Sequence, residues 1–249
     1  MTSRSLTVHC SQPESGPVLR GDPPLLDRDA VHVHFAELAE LRPRKDLFSS
    51  VLDEDERSRA ARFKFATDRE RFILGHGWMR TVLAQYTGRA PYAIETLRGR
   101  FGKPYLPGGE LYFNLSDTKD AVVIAVSRSM DTGVDVETLD RRVDHQAVGE
   151  HYFTQEEQAL IGRSTDGKRT FLDLWTRKEA VLKASGVGIM DDLRSLRVDG
   201  PENHLSIRHV EFMAMAAEHY HVCTWYVGAS HILSLATPRP AGQVVLLGA

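Results

Sequence analysis

Gly133-Val-Asp-Val-Glu137 reads as the end of a strand, where side chains two apart point to the same face. Asp135 and Glu137 therefore present two carboxylates side by side. Such a pair repels itself unless a cation lies between its members, and ligation by oxygen alone suits magnesium. Further along, Trp175-Thr-Arg-Lys-Glu-Ala-Val-Leu-Lys183 reads as a helix on which Glu179 and Lys183 are four apart and share a face. A third carboxylate and an ammonium can then meet the first pair in space. Three acids, a hard cation and a lysine describe a site for a phosphate-bearing substrate. Taken alone, Asp135 and Glu137 would better suit a strand end with two solvated acids; the second stretch argues against that.

Together and in this order, the two stretches resemble the signature pair of the Sfp-type 4'-phosphopantetheinyl transferases, and the resemblance extends over residues 50 to 230. It implies an α+β fold of two similar lobes related by a pseudo-twofold axis, with the active site at their interface. The implied reaction moves 4'-phosphopantetheine from coenzyme A to a serine of an acyl or peptidyl carrier protein. It depends on Mg2+ and releases adenosine 3',5'-bisphosphate. On this resemblance Asp135, Glu137 and Glu179 hold the metal. Glu179 is also the candidate base for the carrier serine, directly or through a water, and Lys183 offsets phosphate charge. Lys178 lies one residue's turn from Glu179 and is set apart from this group.

Arg57, Arg59, Arg62, Lys64, Arg69 and Arg71 form a basic cluster. The residues alone allow a solvated face with internal ion pairs or a phosphate site. The run Arg62 to Arg71 resembles the family's basic segment, which favours phosphate binding by Arg59 and Arg71. Phe101-Gly-Lys-Pro-Tyr-Leu-Pro107 is turn-rich and is not a Walker loop. It resembles the family's Gly-Lys-Pro loop, implying that Lys103 and Pro104 lie near the adenine end of coenzyme A. Tyr112-Phe-Asn-Leu-Ser116 resembles the Phe-Asn-x-Ser-His element, but Asp117 stands where the family has a histidine contacting the 3'-phosphate. A carboxylate about 4 Å from a phosphate is repelled by roughly 4 kcal/mol per charge pair at an effective dielectric of about 20. Asp117 is therefore expected to point away or to pair with a base, leaving Ser116 and the Arg59/Arg71 group to hold the phosphate.

The elements that must position these groups are short and mixed. Residues 1–28 mix Ser, Pro, Gly and charge without periodicity and are expected to be a loose lead-in. An N-terminal lobe is expected over 29–128, and a C-terminal lobe carrying the metal and catalytic motifs over 129–249. Val31–Phe35, Tyr112–Ser116 and Ala121–Val126 read as strands, as do Ser195–Val198, Ile207–Met213, Tyr220–Val227 and His231–Ala236. Asp53-Glu-Asp-Glu56 opens one helix with acids early and bases late, and a second runs from Asp68 to a C-cap at Gly88. Thr154 with Glu157 forms a capping box, and Phe171–Ala184 is amphipathic, closing at Ser185-Gly186. Trp175 belongs to the apolar helix face. The tail from Pro238 looks peripheral. His32 with His34, and His219 with His221, share strand faces but lack the partners of a zinc site.

With 42% hydrophobic and 26% charged residues the chain is an ordinary globular protein. Its 31 basic and 34 acidic residues give a net charge of -3, which supplies no whole-chain argument for nucleic acid binding. No apolar stretch reaches the ~18 residues of a membrane span. The two cysteines, Cys10 and Cys223, suggest no disulfide framework, and there is no apolar signal core, so a cytoplasmic monomer is expected. Two other functions fit parts of the pattern: a non-catalytic binder of coenzyme A or carrier protein, and a Mg2+-dependent phosphoryl transferase using another nucleotide.

Overall fold

The computed structural model describes residues 3–16, 18–19, 21, 23–142, 144–187 and 193–249, with Gln146 described by its backbone alone. One topology occurs twice. In the first half a strand (Ala30–Glu37) leads to a long helix (Ala66–Thr87) and a hairpin (Tyr112–Asp117 and Ala121–Ser127). In the second a strand (Gly133–Thr138) leads to a helix (Gly167–Ser185) and a hairpin (His219–Val227 and His231–Thr237). In each half the first strand pairs antiparallel with the last strand of the hairpin. Each long helix ends at a glycine in the left-handed region, Gly88 at φ 69° and Gly186 at φ 75°. A side chain is disfavoured at that φ, so glycine sets where each helix stops.

Three apolar clusters organise the layers. One lies under the first long helix, around Phe48, Leu74, Trp78 and Phe113. A second lies under the other helix, around Phe171, Leu174, Val181 and Phe212. The third joins the two sheets face to face, with Val33, Phe35 and Val123 against Val136, Trp225 and Leu233. Ala121–Ser127 and Gly133–Thr138 are buried along their whole length. Burial on both faces is what makes Ala121–Val126 a continuous apolar run rather than an alternating one.

Two expectations fail at the chain's ends. Arg4–Cys10, within the supposedly loose segment, pairs parallel with His219–Val227 and antiparallel with Glu202–Ile207 in the second sheet. Leu6, Val8 and Cys10 alternate into the core; the surrounding Ser and Pro residues hid a period-two strand. The tail is not peripheral either, because Gln243–Gly248 pairs parallel with Ala30–Glu37 in the first sheet. Each lobe thus receives a strand from the far end of the chain. The crossings between lobes meet at Arg239, which donates to Asp29 (3.0 Å) and to Ser129 Oγ (2.6 Å), while Ser129 Oγ donates to the Arg28 carbonyl (2.5 Å).

Two strand expectations are also corrected. Leu193–Ser195 is a 3-10 turn, and no strand covers Ser195–Val198. Over Ile207–Met213 the strand ends at Ile207 and a helix spans Val210–Met215, because His209 Nδ1 accepts from Phe212 N (3.3 Å) as an N-cap. The Thr154 capping box forms, as does one at Asp53 with Glu56. His32 and His34 both meet the Tyr86 hydroxyl, at 2.8 and 2.6 Å, a packing role rather than a metal pair.

Candidate active site

The strand Gly133–Thr138 lies between the lobes and is held from both sides. From the first lobe, Asn114 Oδ1 accepts from Val134 N at 2.8 Å. From the second, the Gly167–Ser185 helix packs so closely that a Cβ on Gly133 would fall 2.0 Å from the Ala180 carbonyl oxygen. Polar contacts fix that helix to its sheet: Thr176 Oγ1 meets Ser234 Oγ at 2.8 Å, and Arg177 Nε donates to Thr224 Oγ1 at 3.2 Å. These contacts set where Glu179 and Lys183 stand relative to Asp135 and Glu137.

Lys183 Nζ donates to Asp135 Oδ1 (2.6 Å) and to Ser116 Oγ (2.7 Å), and Ser116 Oγ donates to Asp135 Oδ1 (2.9 Å). Glu137 pairs with Arg141. Burial pushes the Glu137 carboxyl up to about 7, and the neighbouring Asp135 charge adds to it. Glu179 rises to about 7 for the same two reasons in the same order. Asp135 Oδ2 and Glu179 Oε1 are buried and have no hydrogen-bond partner. Unpaired buried carboxylate oxygens call for a proton or a cation. Among the described residues, no three His, Cys, Asp or Glu side chains converge to hold a metal as they stand. Lys183 and Arg141 instead tie the two strand acids to separate cations.

The remaining candidates form two further groups. Arg59, Arg71 and Asp117 line a pocket of about 220 Å³ with Phe72 and His76. Asp117 Oδ2 accepts from Arg71 Nε at 2.7 Å, and Asp68 also meets Arg71 at 3.3 Å. Asp117 is thus paired with a base, yet it faces the pocket. Burial raises its carboxyl, against the pull of Arg71. Arg59 stacks on Phe72, its Cζ 5.0 Å from the ring, and its Nη1 is buried without a partner. Ser116, expected beside Arg59 and Arg71, is not among the residues lining this pocket. Neighbours on a strand face opposite ways, so Ser116 turns to Asp135 and Lys183 while Asp117 turns to Arg71. A polar cleft of about 660 Å³ connects the groups, lined by Arg71, Asp117, Lys119, Glu137, Arg141 and Arg142, among others.

Lys103 and Pro104 line a separate, mainly apolar cavity of about 440 Å³ with Tyr105, Tyr112, Phe113 and Met215. The Lys103 ammonium is spoken for: it donates to Asp131 (2.6 Å), to the Thr132 carbonyl (3.0 Å) and, at the helix end, to the Ala184 carbonyl (3.4 Å). It clasps the lobes together. Lys178 is wholly buried and pairs with Glu157 at 2.7 Å, so it is structural. Trp175 is half-buried against Phe171 and Tyr152. Sequence reasoning missed Asn114 and Arg141. The first was readable only as part of a motif, and the second only as one of two arginines after the acid strand.

Comparison with known proteins accounts for both halves. Residues 131–236 match the 4'-phosphopantetheinyl transferase superfamily, and residues 42–129 match the family described as 4'-phosphopantetheinyl transferase, N-terminal. The 4'-phosphopantetheinyl transferase HetI of Nostoc sp. is 33% identical over 175 residues, covering 67% of this chain and 74% of the relative. The chain belongs to the 4'-phosphopantetheinyl transferase superfamily. A Bacillus subtilis 4'-phosphopantetheinyl transferase is 27% identical to this transferase over 167 residues, covering 66% of this chain and 73% of the relative. A Thraustochytrium phosphopantetheinyl transferase is 33% identical over 154 residues, but this alignment spans only 54% of that relative and 55% of this chain. No helix among the described residues is long and apolar enough to cross a membrane.

Proposed function

We propose that the transferase moves 4'-phosphopantetheine from coenzyme A to a serine hydroxyl of an acyl or peptidyl carrier protein, releasing adenosine 3',5'-bisphosphate. The observation that carries this reading is the group of buried Asp135 and Glu137 with half-buried Glu179 and Lys183 between the lobes, one oxygen of Asp135 and one of Glu179 being buried and unpartnered. Oxygen-only donors fit a divalent cation such as Mg2+, and Asp135, Glu137 and Glu179 would hold it. When bound, such an ion neutralises phosphate charge as a Lewis acid.

The rest falls to side chains. Phosphoryl transfer needs positioning and charge stabilisation more than covalent help. Ser116 and Asp135 orient the Lys183 ammonium toward the phosphates. Glu179, through its unpartnered oxygen, takes the proton of the carrier serine as that hydroxyl attacks the phosphorus bearing the pantetheine arm. The bond from that phosphorus to the adenosine 3',5'-bisphosphate oxygen breaks, and this oxygen leaves with the electron pair. The unpartnered Arg59 Nη1, with Arg71, suits the 3'-phosphate, and the Lys103/Pro104 cavity suits the adenine. The basic rim formed by Lys119 and Arg142 suits an acidic carrier helix. Both lobes lie in one chain, so a monomer is sufficient.

Intact-mass spectrometry of apo carrier proteins incubated with the transferase, coenzyme A and Mg2+ tests the reading. The expected result is a phosphopantetheine mass gain that needs Mg2+ and vanishes in Glu179→Ala. No gain on fatty acid, polyketide or peptide carriers, despite measurable coenzyme A binding, would refute the acceptor class.

A further inference from the structure

We infer that Arg141 is an exchangeable counter-ion: it neutralises Glu137 until a divalent cation is held by the acid cluster, then swings into the adjoining cleft to grip the donor's phosphates. The inference rests on the cation site proposed above.

Arg141 sits in the turn after the acid strand, its N–H donating to the Thr138 carbonyl at 2.9 Å. From there its guanidinium reaches back to Glu137. The pair is lopsided, since the Glu137 side chain is 10% exposed and that of Arg141 is 40%. The acid is fixed in the interface, and the base leans in from solvent. Lys183 is held differently, because it bonds both Asp135 and Ser116 and leaves Asp135 Oδ2 free for another partner. Asp135 can therefore ligate a cation and keep its lysine. A divalent ion repels both bases, but Lys183 stays anchored by Ser116 whereas the more exposed Arg141 is free to leave Glu137 for the cleft.

The displaced side chain has a destination. Arg141 already lines the cleft of about 660 Å³ together with Arg71, Lys119 and Arg142. Lys119 is held by Asp140 at 2.6 Å, and Arg71 by Asp117 and Asp68. Arg141 would thus add a planar fork matched to phosphate at the moment the cation arrives. Cation and anion binding would then be coupled through one side chain, each favouring the other.

Mn2+ binding to the full chain, followed by electron paramagnetic resonance without donor or carrier, tests this. Arg141→Gln should bind Mn2+ about tenfold tighter than wild type, equivalent to ~1.4 kcal/mol. Arg142→Gln, on the same rim, controls for the general field and should change affinity less than about twofold. In 15N-arginine-labelled protein, Mg2+ should shift the Arg141 Nε–H resonance, assigned by its loss in Arg141→Gln, and speed its hydrogen exchange. Unchanged or weaker Mn2+ binding by Arg141→Gln, or an Nε–H signal indifferent to Mg2+, would overturn the exchange. If wild type shows no Mn2+ binding that Asp135→Asn abolishes, the cation site itself fails, and the exchange with it.

Discussion

Replacing Gly133 with alanine tests whether the acid strand and the Gly167–Ser185 helix are held backbone to backbone. The added Cβ would lie 2.0 Å from the Ala180 oxygen and 2.2 Å from the Ala184 nitrogen. Those two atoms close one helical hydrogen bond, in the turn that carries Glu179 and Lys183. Neither is the end of a flexible side chain, so strand or helix must yield by about 1 Å. Overpacking of this kind costs ~3 kcal/mol at the upper end of its usual range. For a chain of this size that lowers Tm by roughly 6–12 °C. A displacement of about 1 Å at the chemistry also costs on the order of a hundredfold in rate. Gly77→Ala is the matched control. There a Cβ would lie 2.3 Å from Phe48 Cβ and 2.6 Å from its Cα, in the first lobe's helical layer. It should lower Tm comparably but keep kcat within about threefold well below the transition. Thermal melts and carrier-loading rates at low temperature read both effects. A Gly133→Ala protein with near-wild-type Tm and rate would refute the argument. So would a Gly77→Ala protein that loses activity just as far, since the loss would then follow stability rather than geometry.

Lys178→Met should destabilise the transferase by ~3–5 kcal/mol in urea titrations, because it strands the Glu157 charge in a dry site. Adding Glu157→Gln should recover part of that loss, and no recovery would show that the charge is not the cause. Asp117→His should tighten coenzyme A binding by about tenfold at low salt, with a smaller gain at high salt, by releasing Arg71. Unchanged calorimetric affinity would remove Arg71 from the phosphate site. His34 is held down to about 3 by burial and by neighbouring His32. Its folded value lies below the unfolded one, so the stability it contributes is complete above pH ~6.5 and drains away as pH falls toward 3. At pH ~4.5 the loss is about 2–3 kcal/mol. His34→Phe should lose that much less between neutral and acid pH, and an identical acid loss in the variant would sink the assignment.

Single strands and the long helices were legible because each leaves a local mark, but their repetition in two halves was not. Gly88 and Gly186 stop the long helices, and Thr154 with Glu157 caps another. The acids of the second lobe were legible from the period of a strand and the turn of a helix. Pairings made over most of the chain's length were not. Nothing near Leu6 or Leu247 in sequence names the strands they lie beside. Ser116 and Asp117 show the same limit at the site. Strand geometry says that they face apart, but only the packed lobes decide which one meets Lys183 and which meets Arg71. Arg141 carries no signal beyond its charge, and its partner is a matter of where a turn points.

Two family models match adjacent segments of the chain, 42–129 and 131–236. Neither contains Arg4–Cys10 or Gln243–Gly248, the strands that pass to the opposite lobe. A nick in the junction between them therefore does not yield two domains. It yields two interlocked pieces, each holding a strand that the other's sheet lacks, and with it an intrinsic reason to reassemble. Expressed as separate fragments, residues 1–129 and 130–249 should be poorly soluble alone and recover loading activity only together. The segments that the family models match are therefore not the units that fold.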